Sequence, residues 1–189
     1  MDAAPLIDVL SSVLPGGAVT AGASADGMPT LVTGPDALID VCRAMRNHPA
    51  LQFGFLAEVT AVDYAPREPR FEVIYHLACL GHHYVVPEAG PAPATARRAR
   101  IRVALPGEDP RVPTVTGVWP AANWLEREVF DMFGISFEGH PDLRRVLMPD
   151  DWVGHPLRRD YPVQIKKETA SWSPLQMAAT HAATRSRSS

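Results

Sequence analysis

The sequence predicts an α+β fold: two N-terminal helices, a mostly antiparallel or mixed sheet, then a helix and an extended, turn-rich C-terminal segment. Residues 71–77 and 100–105 alternate apolar and polar side chains, which is typical of strands with one buried face. Two short N-terminal segments instead repeat apolar side chains at helical spacing. Proline accounts for 19 of the 189 residues, so we expect short elements joined by stiff turns.

The boundaries of the helices follow from proline and glycine. The first helix is predicted over residues 5–14, because a proline suits its first turn and Pro15 and two glycines follow. The second opens at residues 34–36 and ends at residues 47–49, since a residue before proline avoids the helical region. The third begins at Pro120 and stops at Gly134.

The remaining strands and loops are shorter. Strands are predicted over residues 53–64 and 82–86, with a short strand end at 31–33. A hairpin loop is predicted at 66–70, and the alanine- and proline-rich stretch 87–96 is predicted to be a mobile loop.

The chain divides into three parts by composition. Residues 1–117 are predicted to be the α+β domain, and residues 118–162 a helix followed by a charged, turn-rich segment. Residues 163–189 lose apolar periodicity, so we expect an extended or disordered tail that becomes ordered only against a partner.

Composition excludes several classes of function. The net charge of −3 lacks the basic excess that a phosphate-binding protein usually shows. No apolar stretch approaches the roughly 20 residues that span a bilayer, and the N-terminus lacks an export signal, so we expect the protein to stay where it is made. Cys42 and Cys79 are too few to close an iron–sulfur site. If the protein works in redox chemistry, other chains therefore carry the electrons.

Charge is concentrated late in the chain, where residues 123–162 hold eight acidic residues and five arginines. On a helix beginning at Pro120, the predicted apolar stripe consists of Ala121, Leu125, Val129 and Met132. The opposite side is predicted to face solvent or a partner, and it carries Asn123, Arg127 and Asp131.

Two carboxylates of this helix border apolar surface in the same projection. Glu126 and Glu128 therefore need cationic or hydrogen-bonded partners, and Glu128 is expected in a buried ion pair. The available donors are Arg144, Arg145, Arg158 and Arg159. A short echo lies in the same region, because 139–145 and 154–160 both begin Gly-His-Pro and include an arginine pair. We interpret it as one turn used twice.

Residues 118–134, 139–145 and 154–162 closely resemble the 30 kDa subunit family of bacterial NADH:quinone oxidoreductase, which is respiratory complex I. A looser resemblance extends back over residues 29–103. The resemblance implies a subunit of the peripheral arm of a proton-translocating complex, on the cytoplasmic side of the cell inner membrane. It also implies no cofactor on this chain, with FMN and iron–sulfur clusters in neighbouring subunits.

The resemblance further implies which partners and residues matter. The expected partners are the subunit that forms the quinone site and the adjacent cluster-bearing subunits, with the membrane reached only through the complex and no nucleic acid bound. By this resemblance, the residues that are structural or contact a partner, with no catalytic role, are Glu126, Arg127, Glu128, Asp131, His140, Asp142, Arg144, Arg145, His155, Arg158, Arg159 and Asp160.

Three alternative interpretations compete with this one. The carboxylates and histidines of residues 126–160 could serve a stand-alone acid/base or metal-dependent enzyme, although no His-Glu-x-x-His spacing is present. His76, Cys79 and the pair at 82–83 could bind a metal, but a strand points residues 76 and 79 to opposite faces. The arginines of 97–102 could contact nucleic acid, but their alternation favours a solvated or partner-binding strand face.

Overall fold

A computed structural model describes residues 3–81, 86, 89–90 and 95–162 of the chain. The predicted tail at 163–189 lies outside these residues, as do nearly all of the predicted strand at 82–86 and most of the predicted loop at 87–96.

The described residues form helices and strands in an α+β arrangement, as predicted. The helices are α1 (Ala4–Ser11), α2 (Pro35–Asn47) and α3 (Ala122–Phe133). The strands are β1 (Thr20–Ala21), β2 (Thr30–Thr33), β3 (Phe55–Asp63), β4 (Phe71–Cys79), β5 (Arg97–Leu105), β6 (Arg111–Pro113) and β7 (Ser136–Glu138).

The main sheet is mixed and has the strand order β1-β2-β5-β4-β3. Strand β4 pairs antiparallel with both β3 and β5, and β1 pairs antiparallel with β2. Strand β2 runs parallel to β5, with Leu31 opposite Ile101. This parallel pair requires a crossover, and α2, β3 and β4 lie within the chain between its two strands.

Alternation along the strands fills the core, as the sequence indicated. In β4, Phe71, Val73, Tyr75 and Leu77 are all buried, and the register places Val73 opposite the buried Val103 of β5. Helix α2 packs against β2 and β5. The apolar face of α2 is fully buried and consists of Leu38, Val41, Cys42 and Met45.

The ends of α2 agree with the sequence. Pro35 occupies its first turn with Asp36, and His48 is extended before Pro49. Helix α1 is shorter than predicted: it ends at Ser11, and the hydroxyl of Ser12 donates to the carbonyl of Val9 at 2.7 Å.

A second, two-stranded sheet positions α3. Strands β6 and β7 pair in parallel, with α3 as the connection between them. The helix packs against the edge strand β3, and the indole N–H of Trp119 donates to the carbonyl of Phe53 at 3.1 Å just before it begins. It ends at Gly134, whose φ of 70° is left-handed, as the predicted stop requires.

Candidate protein-interaction site

Charged side chains are buried on α3. Glu126, Arg127 and Asp131 are all buried. The prediction that Arg127 and Asp131 face solvent or a partner is therefore wrong. A helical projection contains only the helix, whereas here the backbone of 144–158 hydrogen-bonds to this side of α3 and covers it.

Only some of the residues in the predicted apolar stripe are buried. Val129 and Met132 are buried, Leu125 is half-buried, and Ala121 is exposed. The neighbouring Ala122 takes the buried position, so the apolar face is rotated from the predicted one.

Asp131 is the centre of the site. Its Oδ2 accepts backbone N–H groups of Val146, Leu147 and Met148 at 3.0, 2.8 and 2.8 Å, and its Oδ1 accepts Nη1 of Arg145 at 2.6 Å. Burial alone would raise the pKa of Asp131, but these donors outweigh it and lower the pKa below the ordinary value. The ionised carboxylate thus holds a stretch of irregular backbone against α3.

Arg145 also binds the backbone of a later part of the segment. Its Nη2 donates to the carbonyls of Trp152 and Gly154, both at 3.0 Å. Arg145, one of the donors available to Glu126 and Glu128, instead binds Asp131 and these two carbonyls.

Arg127 binds the backbone of the same segment. Its Nε donates to the carbonyl of Arg144 at 3.1 Å and its Nη2 to that of Arg145 at 3.3 Å. Its guanidinium also lies 4.6 Å from the ring centre of Trp124, which is a cation–π contact. Asp142 lies 3.8 Å from it.

Glu126 forms hydrogen bonds with residues that the sequence did not indicate. Its carboxylate accepts the hydroxyl of Thr114 at 2.5 Å and the N–H of Val115 at 2.8 Å, and no predicted arginine reaches it among the described residues. Burial raises its pKa to about 7, although both donors act in the opposite direction. Glu126 therefore fastens α3 to the residues that follow β6.

His140 lies beside Glu126, and its hydrogen bonds define the tautomer of its ring. Its Nδ1 accepts the N–H of Asp142 at 3.0 Å, so the proton of the neutral ring is on Nε2. Nε2 donates to the carbonyl of Asn123 at 3.1 Å and lies 3.9 Å from Glu126. Both ring nitrogens are thus occupied by backbone groups.

The second Gly-His-Pro turn uses its histidine differently. His155 Nδ1 contacts the carbonyl of Asp131 at 3.0 Å, which requires that Nδ1 donates. Burial lowers the pKa of His155, so the ring is neutral near pH 7. A Cβ on Gly134 would lie 2.5 Å from this ring, so the glycine allows the close approach. Gly139 and Gly154 both have left-handed φ angles, of 78° and 85°.

The remaining predicted arginines bind backbone carbonyls. Arg158 donates to the carbonyls of Phe133 and Gly134 at the C-terminal end of α3, where a cation is favourable. Arg159 donates its Nη1 to the carbonyl of Ala65 at 2.8 Å. Neither of these two available donors binds a carboxylate of α3. Arg158 binds carbonyls at the end of the helix, and Arg159 binds a carbonyl of the β3–β4 hairpin.

A second anchor, which sequence analysis missed, joins this segment to the β3–β4 hairpin. Asp63 accepts Arg70 through both carboxylate oxygens at 2.9 and 2.7 Å and the N–H of Arg159 at 2.8 Å. Arg70 also pairs with Asp160 at 2.8 Å. The hydrogen bond of Arg70 to Asp63 is the main cause that lowers the pKa of that carboxyl. No local pattern links residues about 90 positions apart.

Glu128, Asp142 and Arg144, three of the predicted site residues, lie at the surface. Glu128 is exposed and takes part in no hydrogen bond or ion pair with the described residues, so the expected buried pair is wrong. The helix turns Glu128 away from the segment that covers Arg127. Asp142 and Arg144 form an exposed pair at 2.9 Å.

The described residues offer little that would support catalysis or metal binding. Within them, no group of three or more histidine, cysteine or acidic side chains is arranged to hold a metal ion. Cys79 is buried, and His82 and His83 lie outside the described part of the chain. The described helices include none long and apolar enough to cross a bilayer.

The surface of the same region carries apolar side chains. Trp124, Leu147, Val153 and Leu157 are 63%, 59%, 74% and 56% exposed. Among the described residues, the large hydrophobic side chains exposed elsewhere are those of Val13 and Phe55. Residues 122–162 thus bury three charged side chains and expose four large apolar ones.

Comparison with known proteins identifies the family of the chain. The model of the respiratory-chain NADH dehydrogenase 30 kDa subunit family matches residues 31–167. The chain belongs to this family. The family is one of subunits of the NADH–quinone oxidoreductase complex, so the resemblance inferred from the sequence is confirmed.

Individual members of the 30 kDa subunit family are similar to this chain over most of its length. An NADH-quinone oxidoreductase subunit of Rhizobium meliloti (strain 1021) is 44% identical, covering 81% of this chain and 76% of that protein. The corresponding protein of Roseiflexus sp. (strain RS-1) is 42% identical, covering 86% of each. A solved trypsin-resistant fragment of Nqo5 has a TM-score of 0.57 at 34% identity and covers 74% of this chain and 98% of the fragment.

Proposed function

We propose that this chain is a cofactor-free structural subunit in the peripheral arm of a proton-translocating NADH:quinone oxidoreductase. It supports electron transfer from NADH, through FMN and iron–sulfur clusters in neighbouring subunits, to quinone. It lies on the cytoplasmic side of the cell inner membrane and reaches the membrane only through the complex. Its partners are the subunit that forms the quinone site and the adjacent cluster-bearing subunits.

The observation that carries this proposal is that residues 122–162 bury three charged side chains and leave four large apolar side chains exposed. An acid/base enzyme needs a titratable group that can reach a substrate. Here Asp131 is enclosed by three backbone N–H groups and Arg145, and both nitrogens of His140 contact backbone. These groups hold the backbone in place, and the exposed apolar side chains are what a binding surface requires.

Rigidity is the physical contribution of such a subunit. The segment 144–154 is fixed by hydrogen bonds to α3, and Arg159 and Asp160 are fixed to the β3–β4 hairpin. A neighbour bound to this surface is therefore held at a defined position. Because electron-transfer rates fall steeply with separation, holding cluster-bearing subunits in place affects the rate without any chemistry on this chain.

Deletion of the gene in its host tests the proposal. We expect the peripheral arm to be absent from membranes and NADH:quinone reductase activity to be lost, with both restored by the wild-type gene. A complex that assembles and keeps full quinone reductase activity without this chain would contradict the proposal. Turnover of a substrate by the isolated chain with a stoichiometric metal would support the stand-alone enzyme instead.

A further inference from the structure

We infer that Glu126 and the hydroxyls of Thr114 and Thr116 form a proton relay, which reverses direction when Glu126 gains or loses its proton. The relay connects a carboxyl in the core with the surface of the chain. It joins α3 to the residues that follow β6, and it needs no partner subunit.

The three oxygen atoms of the relay lie in sequence. Oε2 of Glu126 is 2.5 Å from Oγ1 of Thr114, which is 3.0 Å from Oγ1 of Thr116. Glu126 is fully buried, whereas both threonines are half-buried and the next residue, Gly117, is exposed. The relay therefore leads from a buried carboxyl towards solvent.

The single proton of the Thr114 hydroxyl fixes how the relay is arranged. This hydroxyl has one proton and two lone pairs, and one lone pair accepts the backbone N–H of Thr116 at 3.2 Å. One proton and one lone pair remain for the two neighbouring oxygens. Thr114 must therefore donate to one of them and accept from the other.

The two possible arrangements correspond to the two protonation states of Glu126. When Thr114 donates to Glu126, the carboxylate is ionised and the Thr116 hydroxyl donates to Thr114. When Thr114 donates to Thr116, the proton between Thr114 and Glu126 must come from the carboxyl. Both arrangements use the same contacts between oxygen atoms, so Glu126 exchanges its proton without separating α3 from residues 114–116.

The other titratable groups that face Glu126 leave its proton to the relay. Burial raises the pKa values of Cys42 on α2 and Tyr75 on β4, so both stay neutral near pH 7. His140 lies 3.9 Å away, but its Nε2 donates to a backbone carbonyl and its Nδ1 accepts a backbone N–H. The ring therefore has no free nitrogen for the proton of Glu126.

The charged groups of the neighbouring elements are used elsewhere. On α3, Arg127 and Asp131 bind the backbone of the segment that covers the helix. On the β6–β7 sheet, Arg111 and Glu138 are exposed and lie 3.9 Å from each other. Burial raises the pKa of Glu126 to about 7, so both arrangements of the relay are populated near neutral pH.

Thr116→Val is the decisive variant, because it removes the acceptor that the protonated state of Glu126 requires. Thr114 then keeps its donor role towards Glu126, which favours the ionised carboxyl. We expect the proton affinity of Glu126 to fall about fivefold, which corresponds to the loss of one hydrogen bond. The measurement is the carboxyl carbon shift of Glu126, followed by NMR across neutral pH in the full chain. Glu126→Gln identifies the resonance by its loss.

Thr114→Val should change the proton affinity in the opposite direction. It removes the hydroxyl that donates to the ionised carboxylate, so the affinity of Glu126 for its proton should rise about fivefold. The control is Thr33→Val, which removes another threonine hydroxyl, bound to the carbonyl of Ala18 on a different part of the chain. It should leave the titration of Glu126 unchanged.

Thr116→Ser separates the relay from simple packing, because serine keeps the hydroxyl and loses only a methyl group. We expect it to titrate as wild type. An unchanged titration in Thr116→Val would overturn the inference, since it would mean a fixed hydrogen bond from Thr114 to Glu126 with Thr116 outside the relay. Equal shifts in Thr116→Ser and Thr116→Val, or protonation of the His140 ring as Glu126 ionises, would overturn it too.

Discussion

The two parts of the molecule differ in how many charged side chains they bury: three in residues 122–162 and one, Asp63, among the described residues before them. In the main sheet and α2, apolar side chains such as Leu31, Met45 and Ile101 are buried, and the arginines of β5 are at least partly exposed. In residues 122–162, Glu126 and Asp131 are buried while large apolar side chains are exposed. The sheet satisfies its own backbone through strand pairing, but the irregular segment after β7 has no ladder. Buried side-chain charges take over that task.

The comparison also explains what a buried ion pair achieves here. Such pairs are weak evidence for stability, because desolvation offsets much of the attraction. Their value in residues 122–162 is to specify one conformation of a segment that lacks regular structure. The sheet region depends on burial, whereas the α3 region depends on hydrogen-bond geometry. The following variants test that contrast, from the largest expected effect to the smallest.

Asp131→Ala should be the most damaging change. It leaves Arg145 and the N–H groups of 146–148 without their acceptor, which costs about 3–5 kcal/mol of the free energy of unfolding. Denaturant unfolding of the isolated chain measures it. The control is Asp40→Ala, which removes an exposed pair with Arg43 and should cost less than about 1 kcal/mol. Equal losses would contradict the central position of Asp131.

Truncation of leucine should have opposite outcomes in the two regions. Leu77→Ala leaves a cavity in the sheet core and should cost about 2–5 kcal/mol of unfolding free energy. Leu157→Ala removes an exposed side chain and should change the isolated chain by less than about 0.5 kcal/mol. Thermal unfolding of both variants checks this. A comparable loss for Leu157→Ala would show that Leu157 belongs to the core.

Glu126→Gln should change the pH dependence of stability. Burial raises the pKa of Glu126 from 4.5 to about 7, so the folded chain holds this proton more tightly than the unfolded chain. The free energy of unfolding is therefore highest below pH 4.5. It falls by about 3 kcal/mol as the pH rises to about 7. The amide behaves as the protonated acid and avoids this loss, so the variant should be the more stable protein at pH 8.

Unfolding measured from pH 5 to pH 8 checks the role of Glu126. Tyr75 and Cys42 face the same carboxyl and remain neutral over this range, because burial raises both of their pKa values. The control is Glu138→Gln, an exposed change of equal charge, which should leave the pH profile unaltered. Parallel profiles for Glu126→Gln and wild type would contradict the assignment.

Glu128→Ala should have the smallest effect. Its side chain is exposed, so the change should cost less than about 0.5 kcal/mol, the same as Arg67→Ala in the exposed hairpin loop. Thermal unfolding of the two variants side by side measures this. A loss of several kcal/mol of unfolding free energy for Glu128→Ala alone would support the buried ion pair predicted from the sequence.

Much of the sheet region could be predicted from the sequence because its signals are local. Alternation in β4 and β5 and the glycine stop at Gly134 depend on residues close in the chain. The short strands β1, β6 and β7 were missed, because two or three residues carry no detectable period. The mixed character of the sheet was anticipated, but nothing local indicated that β2 pairs in parallel with β5.

The site was predicted in composition but not in arrangement. The density of charge drew attention to Glu126, Asp131 and Arg145, yet the buried pair inferred for Glu128 was wrong. The partners of Asp131 lie 14 to 17 residues later, in backbone whose path has no sequence period. Asp63 and Arg70 were missed for the same reason. Proline or glycine at a turn can be recognised, but the acceptor of a distant N–H cannot.

Amide hydrogen exchange of the isolated full chain tests the central claim most directly, namely that buried charge on α3 fixes the binding surface before a partner is present. The account predicts slow exchange at Val146, Leu147 and Met148 in the free wild-type chain, and fast exchange there in Asp131→Ala while β4 stays protected. Fast exchange at these three amides in the free wild-type chain, with protection only in the complex, would contradict it.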